Sequence, residues 1–120
     1  MSTIAFLLVL LVALLHVFFL VLEMFLWTKP TGLRVFALSP DFAKASRVLA
    51  ANQGLYNGFL AAGLVWGLIL GPSGSGVRAF FLVCVLVAGV FGGITVNKRI
   101  LAVQALPALV ALALSLLVRT

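Results

Sequence analysis

A carboxylate at Glu23 and an imidazole at His16 lie seven residues apart in a run that is otherwise almost wholly apolar from Ile4 to Trp27. Seven residues make two helical turns, so the two side chains share a face. An acid and a histidine so placed could pass a proton or orient a polar group of a ligand. They are the candidate catalytic, proton-handling pair. A second polar group follows in NQGLYNGFLAAGL, residues 52–64, where Asn52, Gln53 and Asn57 bring carboxamides, Tyr56 a phenol, and three glycines allow close helix approach. Gln104 adds a carboxamide to the last apolar run. Amides in hydrocarbon are costly unless partnered, so Asn52, Gln53, Tyr56, Asn57 and Gln104 are expected to face protein or a wet cavity, as ligand-binding groups.

Other chemistries find less support. His16 and Glu23 are two conventional metal ligands where a closed site wants three or four, and Cys84 falls near the opposite face in depth. No metal or other cofactor is expected, and haem ligation by His16 alone is equally thin. No Ser-His-Asp set, CxxC pair, phosphate loop or paired carboxylate is present. Whether the protein is an enzyme stays open at this level.

The elements that must position these residues are membrane spans by composition. The 120-residue chain is 65% hydrophobic and 8% charged, with a mean hydropathy of +1.36. Soluble domains carry roughly a quarter charged residues. The expected fold is all-α, a four-helix antiparallel transmembrane bundle forming a single membrane domain over residues 1–120, with helices at about 4–27, 48–70, 77–96 and 100–118. Met1 to Leu22 lacks the basic start and small-residue cleavage pattern of a signal peptide, so it reads as a retained first helix. Ser39-Pro40-Asp41 is a helix start that would begin the second helix near residue 40; a short interfacial helix ahead of it is the alternative. Gly71-Pro72-Ser73-Gly74-Ser75-Gly76 reads as a turn without regular structure. Pro107 is expected to disturb the last helix and free a carbonyl near Val103.

The net charge of +6 could suggest nucleic acid, but the cations sit singly or in pairs beside apolar segments, so no nucleic-acid partner is expected. Membrane lipid is the expected partner. Lys29, Arg34, Lys44, Arg47, Lys98 and Arg99 fall in two connecting segments, against Arg78 and Arg119 on the other side. The positive-inside rule then puts both termini outside the cytoplasm, most naturally in a bacterial inner membrane. In that orientation Glu23, Asn52 and Gln104 are each about four residues, or ~6 Å, from the cytoplasmic ends of their helices. His16, Tyr56 and Asn57 form a tier some 12–17 Å deep on the same rise. The alignment implies one cytoplasm-facing polar pocket. Which stripe of the second helix turns inward is undetermined: Asn52, Tyr56 and Gly63 share one, Gln53, Asn57 and Leu64 its neighbour.

The residues His16-x-x-Phe19 through Glu23-Met24-x-x-Trp27, the stretch Asn52-Gln53-Gly54-x-Tyr56-Asn57-Gly58-Phe59-Leu60-Ala61-Ala62-Gly63, and Gln104-x-x-Pro107-Ala108 resemble the bacterial and fungal family termed domain of unknown function 1304. Gly89 to Thr95 fits as well. The resemblance spans essentially the whole chain and implies a small four-helix integral membrane protein. It carries no activity. Three readings follow: a pocket that binds or processes a small lipophilic molecule, a small proton-coupled transporter, and a structural or assembly subunit. Small multidrug-resistance exporters are similar in length and also hold an acid in their first helix, but the charge bias here argues for fixed orientation. The glycine-rich faces suit packing within a protomer or between copies in a homo-oligomer equally well.

Overall fold

The computed structural model describes residues 1–117, and every regular element among them is helical. The α-helices are α1 (Thr3–Met24), α2 (Pro30–Phe36), α3 (Pro40–Ile69), α4 (Ser75–Thr95) and α5 (Leu106–Leu117). A 3₁₀ turn at Gly71–Gly74 precedes α4, and a π-helical turn at Leu101–Ala105 precedes α5. By length and composition Thr3–Met24 and Gly71–Thr95 are apolar enough to cross a membrane.

Local sequence accounts for the helix ends. Ser2 Oγ accepts from the Ala5 N–H at 3.1 Å and Ser39 Oγ from the Phe42 N–H at 3.2 Å, the N-cap role of short hydroxyl side chains. α1 stops at Met24, one turn before Trp27, where the Leu26 N–H reaches back five residues to the Val21 carbonyl at 3.2 Å. Pro30 sits at the first turn of α2, where its missing N–H costs nothing. α2 closes on Ala37 at φ 52°, a left-handed cap more often supplied by glycine. The stretch after Gly71 corrects the expectation of an irregular turn. Gly71 at φ +62° ends α3, Pro72 presets the next φ, and the chain winds directly into a 3₁₀ turn and then α4.

The chain divides into two compact units, residues His16–Phe59 and the remainder. In the larger unit, Val9 and Val12 of α1, Leu64 of α3, Leu82 and Val85 of α4, and Ala108 and Ala111 of α5 form the buried core. There α4 and α5 touch through small residues. A Cβ on Gly89 would stand 2.7 Å from the Ala105 nitrogen and 2.9 Å from its Cα, so the two backbones are in direct contact. The π turn lies on that seam, and the Leu106 N–H closes its five-residue ring on the Leu101 carbonyl. Pro107 follows at once, and its missing donor with its ring's bulk against the preceding turn favours such a widening.

Gly89→Ala should therefore cost about 1–3 kcal/mol, because backbone rather than a yielding side chain must move. Gly76→Ala, with open space around it, should leave the melting temperature unchanged or raise it. Thermal unfolding of the two purified variants beside the parent checks this.

Candidate functional site

Within the unit His16–Phe59, the end of α1 and the first half of α3 run antiparallel at very close range. A Cβ on Gly54 would come within 2.7 Å of Met24 Cγ, 3.1 Å of Glu23 Cβ and 3.2 Å of the Leu20 carbonyl oxygen, and one on Gly58 within 2.7 Å of Leu20 Cδ1. Only glycine permits that approach. The buried positions Ala43, Ala50, Gly54, Asn57 and Ala61 follow a spacing of sevens, fours and threes, the signature of a helix seam.

One turn beyond Gly54, the Asn57 carboxamide is buried, and its Nδ2 donates to Glu23 Oε1. Glu23 itself is half-buried. This hydrogen bond joins the acid and one amide that the sequence singled out. His16 lies two turns back on the same face of α1, fully buried, with its ring edge-on to Phe19 at a centroid distance of 5.4 Å. Asn52, Gln53 and Tyr56 point elsewhere and are exposed; the Tyr56 ring rests against Phe59 at 6.0 Å. Gln104 belongs to the other unit, half-buried in the π turn. Among the described residues no three His, Cys, Asp or Glu side chains gather as a metal-binding group.

At the α1 end of the same unit, Trp27 Nε1 donates to Ser46 Oγ at 3.0 Å, and Ser46 Oγ donates onward to the Phe42 carbonyl at 2.7 Å. The Trp27 ring also packs on Phe36 of α2 at 4.9 Å. Trp27 thereby fixes the segment after Glu23. A carboxyl held in this way, with one oxygen met by an amide, can exchange a proton or accept a hydrogen bond from a small polar group.

The larger unit holds a polar residue whose role sequence reading missed. Arg78 is 4% exposed, and its Nη1 donates to the Gly67 carbonyl at 2.6 Å and the Gly71 carbonyl at 2.7 Å. These carbonyls lie in the last turn of α3 and just past its end, where a cation is favoured. In the sequence Arg78 counted only as a charge near a turn. The cue was its place one helical turn past a Gly/Pro break, within reach of the preceding helix's last carbonyls.

A model of the family described as protein of unknown function (DUF1304) matches residues 10–116. The uncharacterized protein YpaA of Lactococcus lactis subsp. lactis (strain IL1403) is 31% identical over 114 residues, covering 93% of this chain and 96% of that protein. No solved structure matches.

Two sets of variants test the geometry. Asn57→Leu removes the donor to Glu23 and should destabilise more than Glu23→Gln, which keeps an acceptor. The double-mutant cycle should give a coupling on the order of 1 kcal/mol. Arg78→Met should cost on the order of 3 kcal/mol by stripping two carbonyls of their donor, and Arg78→Lys less. Thermal or denaturant unfolding reads both.

Proposed function

We propose, from the premise that this chain belongs to the DUF1304 family of proteins of unknown function, that it is an integral membrane protein built around an acid–amide site, Glu23 with Asn57, that binds or processes a small lipophilic molecule. The observation that carries the reading is the Asn57-to-Glu23 hydrogen bond, set in an apolar helix by a glycine seam. An ionisable residue inside a span is costly, and it is retained most often where it handles a ligand or a proton. Two helices of spanning length and composition support the membrane placement. The cations at 29–47 and 98–99 support the orientation with both termini away from the cytoplasm and the Glu23 end of α1 toward it. In that frame Glu23 is the proton-handling group and Asn57 orients its carboxyl. His16, buried on the same face, is the second proton-handling candidate. Asn52, Gln53 and Tyr56, exposed on α3, are available to the polar parts of a ligand or to a second copy.

A structural reading has its own support: Glu23 and Asn57 satisfy one another, as a register brace between helices would. The two readings differ in whether a lipophile can reach Glu23. Treatment of protein-bearing membranes with dicyclohexylcarbodiimide, a lipophilic carboxyl reagent, should modify Glu23 in the folded protein, as read by peptide mass spectrometry. A water-soluble carbodiimide should modify it far less. If Glu23 reacts only after denaturation, it is a sealed brace and the pocket reading fails. Dissipation of an imposed pH gradient by wild-type vesicles, abolished in Glu23→Gln, would favour the transporter instead.

A further inference from the structure

Two adjoining hollows lie beside the end of α1, outside the Glu23–Asn57 contact. One, of about 440 Å³, is walled by Met24, Phe25, Val48 and Ala51 and rimmed by Thr28, Lys29 and Arg47. The other, of about 530 Å³, is bounded by Thr28, Pro40, Lys44 and Arg47, so Thr28 and Arg47 are common to both. We infer that this paired hollow is a binding site for the headgroup of an anionic phospholipid, its phosphodiester held between Lys29, Arg47 and Lys44 and its glycerol and upper acyl chain lying on Phe25 and Val48. The inference rests on the membrane placement proposed above and on different residues from the acid–amide site.

Three features choose the occupant. The first is the division of the walls: cations and a hydroxyl at one end, apolar side chains at the other, with Phe25 64% and Val48 78% exposed and therefore free to meet a chain. A soluble anion would use only the polar end. The second is charge. Three cations border the hollows and no carboxylate does; of the chain's two acids, Glu23 accepts from Asn57 and Asp41 stands on the first turn of α3 outside both linings. A zwitterionic lipid would bring its ammonium among Lys29, Lys44 and Arg47 with nothing to receive it, whereas a phosphodiester without an amine would meet only attraction. The third is rigidity. Trp27, part of the wall, is fixed by its hydrogen bond to Ser46 and its tilted ring contact with Phe36, so the hollow is preformed.

Trp27 also supplies the readout. The chain has two tryptophans, and Trp66→Phe leaves Trp27 alone in the wall. The full-length Trp66→Phe protein would be reconstituted in vesicles containing either brominated phosphatidylglycerol or brominated phosphatidylcholine at the same mole fraction, and quenching of Trp27 fluorescence measured. The expected result is an apparent affinity for the brominated phosphatidylglycerol at least about fivefold higher, the discrimination one interfacial cation provides. Lys29→Gln with Lys44→Gln and Arg47→Gln, all exposed positions, should reduce that ratio to near one while quenching by phosphatidylcholine persists, which also shows that the variant remains folded and inserted. Equal quenching by the two lipids in the parent overturns the headgroup assignment but leaves the membrane reading standing. A preference that survives the triple substitution overturns it too. Relief of quenching by soluble glycerol phosphate at the lipid's own concentration assigns the site to a free anion and overturns the lipid. No quenching by either lipid overturns the inference together with the membrane reading beneath it.

Discussion

A carboxyl group on an otherwise apolar helix must find a donor, and that constraint organises the unit His16–Phe59. The donor comes from Asn57, which can reach Glu23 only because Gly54, one turn earlier, lets α3 lie almost on the α1 backbone. Close approach and hydrogen bond are therefore one device. Fixing Asn57 toward α1 also disposes of its neighbours. At 100° per residue Tyr56 is turned about 100° away and Asn52 about 140°, so both emerge on the outer surface of α3. One contact thus turns Tyr56 and Asn52 outward, while Gln53, about 40° from Asn57, is exposed one turn nearer the start of α3.

The larger unit meets the problem of close helices by a different route. Small residues line the α4–α5 seam, and no side-chain bond is needed where Gly89 meets the Ala105 backbone. Polar groups there are used for helix ends. Arg78 closes the carbonyls at the end of α3, and the Asn97 side chain accepts from the Arg99 N–H at 2.9 Å in the turn before the π segment. Apolar contact holds these helices together, while Arg78 and Asn97 serve places where the backbone itself is unsatisfied.

Much of this was legible from residue types. The all-helical class and the helix start at Ser39-Pro40 follow from composition and spacing, whereas counting residues from the helix ends puts Glu23 level with Asn52 and Gln104, and the hydrogen bond comes instead from Asn57 of the deeper tier. The inward stripe of α3 was undetermined because both candidate stripes carry a carboxamide. The alternation of Ala50, Gly54, Asn57 and Ala61 would have separated them, since small residues mark the seam where helices touch. From the sequence, a short helix ahead of the second is only an alternative to an early start at residue 40, and the structure has both, α2 and α3. Proline reads as a terminator when it follows a span, and only the structure shows Pro30 opening a helix. The 3₁₀ turn at Gly71–Gly74 was hidden for a related reason: glycine content suggested irregularity, while a single proline set the local winding.

Arg78 bears on the orientation argument in a way its sequence position conceals. A cation acts as a topological signal when it stands in water or among headgroups, where moving it across the bilayer carries the full cost of its charge. Arg78 is buried, with two backbone carbonyls as partners, so its presence is explained by the end of α3 without any lipid. Lys29, Arg34, Lys44, Arg47, Lys98 and Arg99 are all exposed. Arg119 lies outside the described residues. Removing Arg78 from the tally leaves six exposed cations in the two segments proposed to face the cytoplasm, against Arg119 alone. The asymmetry that supports the proposed orientation is thus greater than a count of basic residues suggests, and it depends on side chains available to lipid rather than on composition alone.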